Sequence, residues 1–151
     1  MRTVIAVAVL LMLCVDVRAQ TLTECGRSDG YTYLFSGGLV PADKSGWQKE
    51  GDDGRTVLNY INGEFDLLVK DASGTTRSVK QDGGKTIPRK TTNGLIAITV
   101  FYEGSAGTTT EDYAFQVDNR GNGTLVWTAI RTAAIINKMS LMRAQCRGPR
   151  L

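Results

Sequence analysis

Asn62-Gly63 lies between two runs of β-prone residues, 56–61 (TVLNYI) and 64–70 (EFDLLVK). A two-residue hairpin turn of type I′ needs positive φ at both central positions, and Asn-Gly is the pair that tolerates this best. Residues equidistant from the turn should then pair, Tyr60 with Phe65 and Leu58 with Leu67. Val69 continues that face, while Glu64 and Asp66 fall on the other. The period-2 separation of apolar from acidic residues supports this register.

Similar short runs recur along the chain. Residues 31–36 (YTYLFS) are aromatic and β-prone, and residues 37–55, around Trp47, are expected to be mostly loop. A turn at 71–74 (DASG) leads to a polar strand at 75–80. Residues 81–93, with Asp82-Gly83-Gly84 and Pro88, are expected to form a loop. Residues 95–102 (LIAITVFY) are apolar on both faces, the pattern of a central or doubly covered strand. Residues 104–109 read as a loop. Residues 111–117 then alternate, with Tyr113, Phe115 and Val117 inward. After a turn at 118–123, residues 124–132 place Leu125, Trp127 and Ala129 on one face. Residues 133–146 are ambiguous between helix and strand; a short connection and then a strand at 138–145 is favoured.

This spacing, without βαβ alternation, predicts an all-β fold. It is a single small antiparallel barrel or sandwich of about seven or eight strands, mostly a meander. With 42% hydrophobic and 22% charged residues the chain is globular.

The N-terminus points to export. Arg2 precedes an unbroken apolar run at 4–15, shorter than the roughly 20 residues a membrane-spanning helix needs. Val17-Arg18-Ala19 then supplies a small-residue cleavage site. Residues 1–19 are expected to be a cleaved signal peptide, with 20–151 a single β domain that keeps no transmembrane segment. Leu13 before Cys14 argues against lipidation there. A secreted or periplasmic location follows. Loss of Cys14 leaves Cys25 and Cys146, near the two ends of the domain, and an oxidising compartment would join them. The loop so closed is about 122 residues, and the first and last elements must then be neighbours.

The chain has no His. This removes Ser-His-Asp and Cys-His catalysis and imidazole metal sites. Ser45 beside Lys44, or Ser78 with Lys80, are chance pairings. Glu64, Asp66, Glu111 and Asp112 are read as solvated charges on outward strand faces rather than as a glycosidase pair. Calcium would need oxygen ligands from Asp52-Asp53-Gly54, 71–74 or Asp118-Asn119, all of which turn chemistry explains. No catalytic residue, metal ligand or cofactor is assigned. Residues 70–90 are basic (Lys70, Arg77, Lys80, Lys85, Arg89, Lys90), and residues 43–66 are acidic on balance. The basic stretch reads as an edge strand protected by charge. No aromatic residue lies between Phe65 and Phe101 to stack on bases, so nucleic acid is not expected. Asn122-Gly123-Thr124 is a glycosylation sequon that also reads as a turn. Tyr60, Phe65, Tyr113, Phe115 and Trp127 are read as core before pocket.

The expected function is a non-enzymatic secreted or periplasmic β-barrel-like module that binds a small or extended ligand. The alternative is a protein-binding module, an inhibitor or an envelope accessory protein, acting on an envelope or extracellular partner through loops 37–55 or 81–94. A His-independent hydrolase is a remote third. A filled interior would favour the protein-binding module. A cavity of about 300 Å3 or more with converging polar groups would favour the ligand binder.

Overall fold

The structure, a computed structural model, describes residues 19–70, 73–91, 93–105, 107–133 and 135–149. The expected signal at 1–19 therefore lies, apart from Ala19, outside the described residues, as do residues 71 and 72 of the expected turn. Ten strands are present among the described residues: β1 (Ala19–Leu34), β2 (Gly46–Asp52), β3 (Arg55–Ile61), β4 (Glu64–Lys70), β5 (Thr76–Ser78), β6 (Lys85–Lys90), β7 (Leu95–Gly104), β8 (Gly107–Val117), β9 (Gly123–Ala133) and β10 (Lys138–Arg147). They form one antiparallel sheet in the order β5-β4-β3-β1-β10-β9-β8-β7-β6, with β2 added beside β1. Residues 79–84 join the two edges, β5 and β6, in sequence, but no described ladder joins them in space. The sheet is thus a half-barrel, all-β and mostly a meander. Among the described residues no helix is long and apolar enough to cross a membrane.

The β3–β4 hairpin forms as its turn residues dictate. Asn62 has φ 52° and Gly63 φ 86°, the pair of positive values that type I′ requires. Tyr60 faces Phe65 and Leu58 faces Leu67. The Tyr60 and Phe65 rings meet at 5.1 Å, and Leu58 and Leu67 are fully buried.

β1 organises the sheet because it has three neighbours. One side runs the length of β10; the other pairs first with β3 and then with β2. Cys25 and Cys146 stand opposite each other on β1 and β10, 3.9 Å apart at Cα, and are joined by a disulfide spanning 121 residues of sequence. At Gly30 the backbones of β1 and β10 approach so closely that a Cβ would lie 2.1 Å from the Leu141 carbonyl oxygen and 2.8 Å from Met142 Sδ. Only glycine fits there.

Four expectations need correction. First, residues 37–55 are not mostly loop. β2 occupies 46–52, held by its ladder to β1 and by Trp47 packing edge-on against Tyr33 at 5.4 Å. Second, 81–93 contains β6, an edge strand that accommodates Pro88 because an edge position does not need its missing N–H. Third, the loop at 104–109 is a tight connection, with Gly104 already paired to Gly107. Fourth, 95–102 belongs to a strand next to the edge strand β6, not to a central one. Ile96, Ile98 and Val100 are buried on its inner face, and Leu95, Ala97, Thr99 and Phe101 are only half-buried on its outer face. The extra strands raise the count from seven or eight to ten. The ambiguous C-terminal stretch is a strand, at 138–147.

Candidate functional site

The inner face of the half-barrel is set by strand register, and its character changes along the strands. One row across the sheet reads Ile96, Phe115, Leu125, Ala144, Ser28. The next reads Ile98, Tyr113, Trp127, Met142, Gly30. Further on come Val100, Glu111, Ala129, Ser140, Thr32, and then Tyr102, Thr109, Arg131, Lys138. The apolar end is closed by the disulfide, Leu58 and Leu67. The opposite end opens into a cavity of about 820 Å3. Its floor is apolar, from Val69, Val79, Trp127, Ala129, Met142 and Ala144, with Tyr102 and Tyr113 on one wall. Its mouth is charged, with Glu50, Asp52, Lys70, Arg77, Arg131 and Lys138. Its volume is in the range of small-molecule sites, and its lining mixes this apolar floor with many charged and polar groups.

Tyr113 and Trp127 are cross-strand partners and stack with ring centroids 6.1 Å apart, and Phe115 stacks on Tyr113 from the apolar side at 6.5 Å. Tyr113 Oη donates a 2.8 Å hydrogen bond to Glu111 Oε2. Burial pushes the Glu111 carboxyl above its ordinary range, and the Tyr113 hydroxyl and the Arg131 charge only partly oppose this. Tyr113 is itself pushed up, first by burial and then by the Glu111 charge. Tyr102 is pushed up to about 12 by burial, then by Glu111 and Asp82.

A polar cluster bounds the mouth. Lys138 Nζ donates to Glu50 Oε1 at 2.9 Å, Ser140 Oγ donates to Glu50 Oε2 at 3.3 Å, and the Thr32 and Ser140 hydroxyls meet at 2.6 Å. Burial, the largest influence on Glu50, raises its pKa. The Lys138 ammonium, with Thr32 and Ser140, outweighs it, so the carboxyl lies below its ordinary range.

Glu111 is the main correction to the sequence reading. It does not face water. Counting by twos from Tyr113 and Phe115 places it on the inner face, where it is mostly enclosed. The acidic residue type had outweighed an alternation that already pointed inward. The aromatic set also divides. Phe115 is fully buried, while Tyr113 and Trp127 pack against the core and line the cavity. Phe65 also packs against the core, and with Tyr60 it lines a second hollow of about 600 Å3 between the hairpin and β6.

The remaining candidates have ordinary partners. Ser45 Oγ donates to the Ala42 carbonyl at 2.8 Å. Ser78 is held by Asp66, and Lys80 by Glu64 at 2.7 Å, so Ser78 and Lys80 form no dyad. Asp52 accepts from the Gly54 N–H and Asp53 from Arg27. Asp118 accepts from the N–H groups of Asn122 and Arg120, which hold its pKa low. Among the described residues no three Cys, Asp or Glu side chains gather to hold a metal ion. The basic stretch contributes the edge strands β5 and β6, with Arg77 and Lys70 turned to the cavity.

Compared with family models, curated proteins and solved structures, the chain matches none.

Proposed function

We propose that this protein is a non-enzymatic, secreted or periplasmic β-scaffold that binds one small ligand in the concave face of its half-barrel. The observation that carries the reading is the cavity of about 820 Å3, apolar and aromatic in its floor and charged at its mouth. An interior needed only as core would be filled by its own side chains to the density of a crystal. Here Ala129, Ser140 and Ala144 leave space where larger residues would close it. Export rests on the N-terminal apolar run and the cleavage site after Ala19, and the disulfide is consistent with an oxidising compartment. The absence of enzymatic activity rests on a chain without histidine whose Cys25 and Cys146 are bonded to each other.

The test is binding of the neutral fluorescent probe N-phenyl-1-naphthylamine to wild type and to Ala129→Trp, which places an indole in the cavity. Saturable one-site binding to wild type, lost in a variant that still melts cooperatively, is expected. Equal binding by both proteins would refute the reading. Binding of a protein partner is the second reading. It is favoured by exposed apolar side chains at one end of the convex face, where Leu39 is 73% exposed, Trp47 59% and Phe35 45%.

A further inference from the structure

We infer that the ligand of this concave face carries a protonated amine on an apolar or aromatic body, with Glu111 as its counter-ion. This rests on the binding reading above and narrows the ligand's chemistry. Glu111 lines the cavity and is mostly enclosed, between Val100 of β7 and Ala129 of β9. One of its oxygens, Oε2, accepts from Tyr113. The other accepts no hydrogen bond among the described residues, and no Lys or Arg nitrogen among them comes within ion-pair distance of the carboxylate. That second oxygen is open to the cavity, and an ammonium group on a ligand would give it a charge-assisted hydrogen bond.

The surroundings favour a cation over other charged groups. The wall beside Glu111 includes Tyr102 and Trp127, and aromatic ring faces attract cations. The tyrosine hydroxyls also feel carboxylates: Tyr102 responds to Glu111 and Asp82, and Tyr113 to Glu111 and Asp52. Most cations at the mouth are already engaged. Lys138 is bound to Glu50 at 2.9 Å, Arg55 to Glu24 at 2.9 Å, and Arg77 faces Asp82 at 3.9 Å. Lys70 and Arg131 are the competing charges at the mouth, and Arg131 acts on Glu111 through space. It is exposed at the mouth, whereas Glu111 lies deeper. An apolar body would then extend from Glu111 over Trp127 toward Met142 and Ala144.

The experiment is calorimetric titration of the protein with three probes that share one body: 4-phenylbutylamine, 4-phenylbutanol and 4-phenylbutyrate. The amine is expected to bind about tenfold or more tighter than the alcohol. Glu111→Gln should bring the amine down to the level of the alcohol and leave the alcohol within about twofold. Arg131→Met, at an exposed position, should raise the affinity for the amine several-fold and leave the alcohol unchanged. Alcohol or butyrate binding as well as the amine would overturn the amine assignment and leave the binding reading standing. Failure of all three probes to bind would overturn both.

Discussion

The two ends of the concave face are built from the same strands in the same register, yet they have opposite chemistry. At the disulfide end, Phe115, Leu125, Leu58, Leu67 and Cys25 are completely removed from water. Four residues further along β8 and β9, the same inward positions hold Glu111 and Ala129, and Arg131 follows two residues later on β9. The first end has large apolar side chains that meet across the half-barrel. The second has small or charged ones that do not, and there the sheet encloses space. Stability is therefore expected to concentrate at the disulfide end and ligand chemistry at the open end.

That contrast can be broken by substitution. The largest effect is expected from Phe115→Ala, at about 3–5 kcal/mol, because the site is closed on all sides and a cavity would remain. Trp127→Ala, one strand away at the edge of the open space, should cost clearly less. Urea unfolding of both variants makes the comparison, and equal losses would mean that the two ends are packed alike. Cys146→Ser should cost about 2–5 kcal/mol, and non-reducing peptide mapping of the wild type should recover the Cys25–Cys146 pair. Gly63→Val, at the hairpin tip beyond Leu58 and Leu67, should cost more than about 1 kcal/mol, since a β-branched residue resists positive φ. Gly63→Asn should be nearly silent in the same melts.

The smallest effect, and the one of opposite sign, belongs to the open end. Folding raises the pKa of Glu111, so between its unfolded and folded values the native state holds more protons than the unfolded state. Its contribution is therefore fully favourable below the unfolded value and is lost as pH rises through the folded one. At neutral pH, Glu111→Gln should leave the protein as stable or slightly more stable. It should also flatten the decline in stability above pH 4.5, the ordinary carboxyl value. Thermal melts across pH 4 to 8 read this directly, and a marked loss at pH 7 would show that Glu111 supports the fold.

Much of the closed end was legible in the sequence. Asn62-Gly63, the alternation over 111–117 and 124–132, and the paired cysteines each act locally or at the chain ends, and each is present as expected. The first half of β1 was not legible. It shifts register between Thr21 and Thr23 and again between Cys25 and Ser28, which breaks the period of two. Beside Cys25, its buried residue is polar. Thr23 Oγ1 donates to the Gly121 carbonyl at 2.6 Å, so its burial is satisfied without hydrophobicity. β2 was hidden because its residues are mostly exposed and its place depends on a distant partner, β1. Pro88 disguised β6. The cavity itself is a property of closure and side-chain volume across five strands, and no local pattern encodes it.

The two tryptophans allow one direct test, because Trp127 lines the cavity and Trp47 stands on the convex face. An NMR titration with 4-phenylbutylamine, observing the two indole N–H signals, reports both faces in one spectrum. If the concave face is the binding site, the Trp127 signal moves saturably and the Trp47 signal stays in place. Movement of Trp47 with Trp127 unchanged would contradict the account and place binding on the convex face.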